Sequence, residues 1–191
     1  MKKFFFDTEF TGLHQQSTMI SLALVAETGE EFYAEFTDYA ISQTNEWINK
    51  HVVQQLFLNE NNCCTTFNKY YIKSDKNTIK QAIETWLQQF GVVKDDKNNI
   101  IPNIQIWADV PHWDWVLFCE LFGGAFGIPK SIHYMPMDLA TLLFANNIDI
   151  NTVRHEMVDT SNIPSHIMQH NALYDAHIVK LVIEKILSNG K

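Results

Sequence analysis

The stretch "FFFDTEFTGL", residues 4–13, constrains this chain most. Three consecutive phenylalanines read as a central strand over Lys3–Phe6, because an unbroken apolar run suits a strand covered on both faces. The run ends on two acids, Asp7 and Glu9. Side chains two apart on an extended chain share a face, so the two carboxylates point the same way. Like charges at a buried strand end repel and lose hydration, and something must offset that. The ordinary means are an arginine, a shared proton or a metal cation. The chain has one arginine, Arg154, far away in sequence. A hard divalent cation, which prefers carboxylate oxygens, is the better counter-charge. The alternative is that Glu9 has already turned into a loop and sits in water.

Two more acids break the same rule. Asp114 falls on the stripe of Leu117, Phe118 and Leu121 in a helix over 112–122, and Asp175 shares a stripe with Ile178, Val179 and Val182. Each, taken singly, is also what a helix N-terminus favours. Three separate segments carrying an inward acid point instead to a site, where local rules are expected to fail. His170 lies just ahead of the last helix, five residues before Asp175, and beside such a cluster it is a base able to take a proton from water near neutrality.

The rest of the pattern reads as α/β with a mixed sheet. Thr18–Glu27 and Glu31–Phe36 form a hairpin around Gly29. Residues 42–58 look helical, 59–76 are polar without a clean period and read as an irregular insertion, and Thr78–Phe90 is an amphipathic helix. A solvated turn at 95–99, a strand at Ile104–Ala108, a short helix at Asp138–Ala145 with Asp138 as its N-cap, and a long helix from Asn171 to Leu187 complete the chain. Trp86, Trp107 and Trp113 are assigned to the core. No linker or repeat breaks the 191 residues, so one domain spans 1–191.

Composition narrows the partners. A net charge of −8 excludes coating a long polyanion by bulk attraction, so any nucleic-acid contact is local or bridged by metal. Cys63, Cys64 and Cys119 show neither disulfide nor zinc spacing. No apolar leader or membrane span appears, and the expectation is a soluble, cytoplasmic protein without membrane contact.

"DTEFTGL" at 7–13, "HWDWVLFCEL" at 112–121 and "HNALYDA" at 170–176 resemble the three motifs of the DEDDh 3′–5′ exonucleases. These are the ribonuclease-T-like and proofreading-like enzymes with a ribonuclease H-like fold. The first motif is close to that family's D-T-E-T-T-G-L and the third fits its H-x-A-x-x-D. The pattern "FFFDTEF…TMISLALVAETGEEFYAEF" further resembles the small single-domain bacterial and phage 3′–5′ exoribonucleases. The second motif departs. Asp109 and Val110 stand where the family often has His-Asn, and Trp113 replaces its aromatic. Asp109 and Asp114 thus compete for one role, and the aromatic-Asp step with the helical stripe favours Asp114.

The resemblance implies a ribonuclease H-like α/β fold with a mixed five-stranded sheet flanked by helices. It implies metal-dependent 3′–5′ hydrolysis of single-stranded ends, RNA ahead of DNA, releasing nucleoside 5′-monophosphates. Two divalent ions, Mg or Mn, would be held by Asp7, Glu9, Asp114 and Asp175, whose four negative charges they would cancel. His170 would be the general base. Thr11, Gly12 and Leu13 match the segment that cradles the terminal nucleotide: Thr11 toward the sugar, Gly12 allowing close approach, Leu13 on the last base. Phe10 would add stacking, and His112 and Trp115, off the inward stripe, are further substrate candidates. Homodimerisation is a family-level expectation. The competing readings are an endonuclease on the same fold, which the spacing of His170 opposes, and a binding module with a dead site, which the complete set of acids opposes.

Overall fold

The computed structural model describes residues 1–59, 63–66 and 68–189. Its frame is a seven-stranded mixed sheet of β1 (Lys2–Phe10), β2 (Met19–Ala26), β3 (Glu31–Phe36), β4 (Cys63–Thr66), β5 (Lys69–Ser74), β8 (Ile104–Ala108) and β9 (Met137–Asp138). The strand order is β4-β5-β3-β2-β1-β8-β9. A separate ribbon, β6 (Val93–Lys94) with β7 (Ile100–Ile101), carries the turn at 95–99 at its tip. The helices are α1 (Glu46–His51), α2 (Lys76–Leu87), α3 (His112–Leu121), α4 (Leu139–Ala145) and α5 (Ala172–Asn189). The strands β1, β2 and β3 form an antiparallel meander, and β8 joins β1 in parallel.

The phenylalanine run is buried because β1 is central and both faces are covered. Phe4 and Phe6 pack with Phe32, Ile83, Trp86 and Phe118 under α2 and α3. Phe5 faces the other way, with Tyr33, Leu173, Val179 and Ile183 under α4 and α5. The hairpin at Gly29 is present, with φ +101° there and the Gly29 N–H donated to the Ala26 carbonyl at 3.0 Å.

Three expectations are corrected. The sheet has seven strands rather than five: to the four strands β3, β2, β1 and β8 it adds β9 at one edge and β5 and β4 at the other. Those last two strands occupy most of the stretch 59–76 that reads as irregular; residues 60–62 and 67 lie outside the described residues. Its period is hidden because β5 is clad on both sides: Tyr70 stacks on Phe32 toward α2, and Tyr71 packs edge-on to Tyr33 toward α5. The helix over 42–58 is only α1, capped by Asn45, whose side chain accepts the Ile48 N–H at 2.9 Å. Single 3-10 turns flank it at Ile41–Gln43 and Val53–Gln55, and beyond them Phe57 and Leu58 give their N–H groups to the buried carboxylate of Glu35. Asp138 is the N-cap of α4, as expected, accepting from Ala140 and Thr141. Among the described residues no helix is long and apolar enough to cross a membrane.

Candidate functional site

The C-terminal ends of β1 and β8 open on the same edge of the sheet, the position at which α/β sheets ordinarily bind ligands. Strand β1 continues past the phenylalanines to Phe10, so Asp7 and Glu9 are still in the ladder, opposite Ala23 and Ser21 of β2. By alternation they lie on the face of Phe5, the face that α5 covers. Neither turns away into bulk water; both are partly buried.

Helix α5 brings the other half of that face. Asn171 caps it, with Oδ1 accepting the Leu173 N–H at 3.1 Å. His170, one residue earlier, takes a left-handed backbone conformation with φ +66°. Its N–H is donated to Asp175 Oδ2 at 2.9 Å. One ligand atom from each of Glu9, His170 and Asp175 lies within 4.8 Å of the other two. The fourth acid arrives from the opposite face. Asp114, buried in the first turn of α3, accepts from the Thr8 hydroxyl at 2.7 Å and the Thr8 N–H at 3.1 Å through Oδ1. Four carboxylates and an imidazole from three segments therefore meet at the end of β1.

Their electrostatics are those of crowded acids. Burial, and then the charge of Asp175 and Asp114, pushes Glu9 up to about 8. Asp175 rises to about 7, again chiefly through burial, against the lowering effect of the His170 N–H. Asp7 is raised well above the carboxylate range by burial and by Asp175, Asp114 and Glu9. Asp114 is raised by burial despite its bonds to Thr8. His170 is lowered by burial and by His51, which favours the neutral ring at neutral pH.

The one arginine is closer than its sequence position suggests. Arg154 meets Asp109 in a two-pronged pair, Nε to Oδ2 at 2.9 Å and Nη2 to Oδ1 at 3.2 Å. Both line a pocket wall with Asp7, His170 and Asp175. Arg154 also bonds the Ile150 and Thr152 carbonyls. Its guanidinium is thus committed to Asp109 and the loop, and it does not bond Asp7 or Glu9. Between the two acids that competed in sequence, Asp109 has its own counter-charge, and Asp114 has none among the described residues.

The second wall carries Phe10, Gly12, Leu13, Asn45 and Trp47 together with Asp7, Glu9 and Asp114. Leu13 is 73% exposed, free to meet a ligand. At Gly12 a Cβ would come to 3.0 Å from the His14 ring, so the glycine lets His14 approach. Thr11 corrects its expectation. It is buried, and its hydroxyl is donated to Gln43 Oε1 at 2.6 Å and accepts the Thr18 N–H at 3.0 Å, so it ties the loop down instead of facing a sugar. Phe10 is partly buried against the core. His112 is exposed, whereas Trp115 stacks on Phe118 at 5.5 Å and serves α3 packing. Trp113 and Trp107 are half-buried, and only Trp86 is fully in the core.

Trp47 is a residue that sequence reasoning missed. It is 51% exposed on α1. Its ring stacks on His51 at 4.8 Å and meets His170 edge-on at 5.1 Å. The signal available was weak: an Asn-capped turn with a tryptophan beside the single inward residue Ile48.

A family model described as the 3′-5′ exoribonuclease Rv2179c-like domain matches residues 2–187. Two curated relatives are the 3′-5′ exoribonuclease Rv2179c of Mycobacterium tuberculosis strain H37Rv and the 3′-5′ exoribonuclease MT2234.1 of strain CDC 1551. Each is 25% identical to this chain over 140 residues, 73% of this chain and 73% of its own. Among solved structures, a full-length 3′-exonuclease superposes with a TM-score of 0.59 at 11% identity, over 99% of this chain and 82% of that one. Cell-death related nuclease 4 superposes with a TM-score of 0.52 at 11% identity, over 99% of this chain and 64% of that one. At such identity these two structures bear on the fold, which they share.

Proposed function

This chain belongs to the Rv2179c-like 3′-5′ exoribonuclease domain family, and from that premise we propose a metal-dependent reaction at the end of β1, with single-stranded RNA as the substrate. The protein is a 3′–5′ exonuclease. The observation that carries the finer reading is the meeting of Asp7, Glu9, Asp114, Asp175 and His170 at one strand end, with no cationic side chain bonded to the four acids among the described residues.

The donor set fits hard divalent cations. It is made of carboxylate oxygens, buried and crowded enough that Asp175 and Asp114 raise the pKa of both Asp7 and Glu9, and open to solvent through two pocket walls. Asp7, Glu9, Asp114 and Asp175 would hold two such ions, Mg or Mn. Bound there, the ions supply a water acidified toward neutrality and positive charge opposite the leaving 3′ oxygen. The residues of this chain do the rest. His170, neutral near pH 7, accepts the proton of the attacking water at its ring nitrogen. Thr8 orients Asp114. Leu13, Gly12 and Trp47 form the wall for the terminal nucleotide, whose base can lie on an apolar or aromatic surface whatever its identity. The few basic groups suit an enzyme that grips only an end. The family's named activity favours RNA over DNA.

The test is digestion of 5′-labelled single-stranded RNA and DNA with Mg, with Mn and with EDTA. A ladder shortening from the 3′ end in metal alone, faster on RNA, is the expected outcome. Internal cuts would replace this reading with an endonuclease, and equal loss in EDTA and metal would remove the ions from it. Thr8→Val keeps the shape of its side chain and deletes the shorter bond to Asp114. It is expected to raise the metal concentration for half-maximal rate by roughly tenfold, the usual effect of losing a ligand's hydrogen-bond partner. A metal titration of the rate checks this.

A further inference from the structure

Behind the site, on the α5 face of the sheet, lies a buried polar chain that no catalytic step uses. Glu35 of β3 is fully buried. Its Oε1 accepts the N–H groups of Phe57 at 2.7 Å and Leu58 at 3.0 Å, and the Tyr33 hydroxyl at 3.1 Å. Its Oε2 faces the Lys73 ammonium at 3.4 Å. The Tyr33 oxygen in turn accepts from Asn171 Nδ2 at 3.1 Å, and the same amide nitrogen reaches the Gln55 carbonyl at 3.1 Å. Tyr33 and Asn171 are 0% and 1% exposed. The Tyr33 ring stacks on Phe57 at 4.9 Å, and Phe57 meets His166 edge-on at 5.3 Å. Two stretches of chain are thereby fastened to β3: the one that continues from α1, with Trp47 and His51, and the one that ends in His170.

We propose that the chain Glu35–Tyr33–Asn171 is a positioning device for His170, with Tyr33 as the positioning residue that acts through it. Burying an acid, a phenol and an amide is unfavourable unless each is bonded. A stable core at this spot needs only apolar side chains. What the polar chain adds is direction. Asn171 is held at both ends of its amide, by Tyr33 and Gln55 through Nδ2 and by Leu173 through Oδ1. The residue fixed in this way immediately follows His170, whose left-handed backbone needs support from its neighbours. The Tyr33 hydroxyl keeps its proton, because burial and the Glu35 charge raise it. The direction of the chain is therefore set: Asn171 donates to Tyr33, and Tyr33 donates to Glu35. Side chains in contact with substrate need such support to hold a productive geometry.

This inference rests on His170 being the base, and the experiment separates the two. Tyr33→Phe keeps the stack on Phe57 and deletes the hydroxyl. It is compared with His170→Ala, with the double variant and with the wild type, for kcat and KM on a labelled RNA oligonucleotide in Mn. Tyr33→Phe is expected to lower kcat about tenfold, as losing one buried hydrogen bond predicts, with KM within about twofold. In the His170→Ala background it should add nothing, since both changes act through one group. Equal slowing in both backgrounds, an unchanged kcat, or a loss carried by KM overturns the proposal. A wild-type rate in His170→Ala would overturn the base assignment and not the positioning. For that, the ring resonances of His170 in the metal-free protein are read by NMR. They should move in Tyr33→Phe while those of His112, exposed on α3, stay. Should Tyr33→Phe fail to fold, Asn171→Ala breaks the same bond from its other end and must show the same pattern. An unmoved His170 resonance in a folded variant ends the proposal.

Discussion

Asp7→Asn is expected to lower kcat by about a thousandfold or more, several kcal/mol of lost transition-state stabilisation, and at the same time to raise the melting temperature of the metal-free protein. The two effects share one cause. Burial, and then the charges of Asp175, Asp114, Glu9 and Asp109, all act to keep the proton of Asp7 on. Without a cation its charge is an unfavourable guest at the end of β1. With a cation the same charge is what holds it. Asparagine preserves the shape and removes the repulsion, so the fold gains what the site loses. Melting curves of both proteins in EDTA at pH 8, and again with excess Mn, check the stability half. The wild type should gain from Mn and the variant should gain little. A variant that loses activity and also melts lower in EDTA would make Asp7 a folding residue. One that cleaves normally would remove it from the site.

Much of this arrangement is legible in the sequence, for reasons that can be named. Phe4–Phe6 is an unbroken apolar run because both of its faces are covered, and only a central strand does that. Asp114 and Asp175 betray themselves by sharing inward stripes with Leu117 and Phe118 and with Ile178, Val179 and Val182. The losses also have causes. Strand β5 alternates correctly, but Tyr70 and Tyr71 are both clad, so no polar face marks the period. The stretch after α1 leaves the helix for a 3-10 turn and then bonds to Glu35, a residue many positions away that sequence pattern cannot pair with it. The same blindness to long-range pairing places Arg154 far from the acids, when the loop after α4 returns it to Asp109. Thr11 belongs to a motif whose resemblance implies a sugar contact, yet Gln43 and Thr18 take up its hydroxyl. Trp47 has no motif, and only the folded chain shows it beside His170.

The crowding of the acids has a second measurable consequence, in the dependence of stability on pH. A carboxylate whose folded pKa is raised contributes stability that is complete below its unfolded pKa and is lost as pH rises through the folded one. Glu9 moves from 4.5 to about 8 and Asp175 from 3.8 to about 7, so the metal-free protein should weaken steadily as pH rises from about 5 toward 8. His170 works in the opposite sense, since its lowered pKa disfavours the folded state only as pH falls below 6.5. Glu31, held down to about 2 by His177 and Tyr71 against its burial, contributes stability that is complete above 4.5. Between pH 6.5 and 8 neither of these changes, and the acids of the cluster act alone. One such group loses about 1.4 kcal/mol per pH unit, or roughly 2 kcal/mol over this interval, enough to lower the melting temperature by roughly 4–8 °C in a chain of this size. Divalent metal should reverse the trend. It binds the deprotonated carboxylates, so its stabilisation is larger at pH 8 than at 6.5 and its binding at 6.5 releases protons. Melting curves in EDTA and in Mn across this range measure the first effect. Calorimetric titration of Mn in two buffers of different ionisation enthalpy measures the second. A metal-free melting temperature that stays level or climbs from pH 6.5 to 8 would mean that the acids lie far enough apart, or wet enough, to ionise freely. A charge cluster waiting for cations would then be the wrong description of the end of β1.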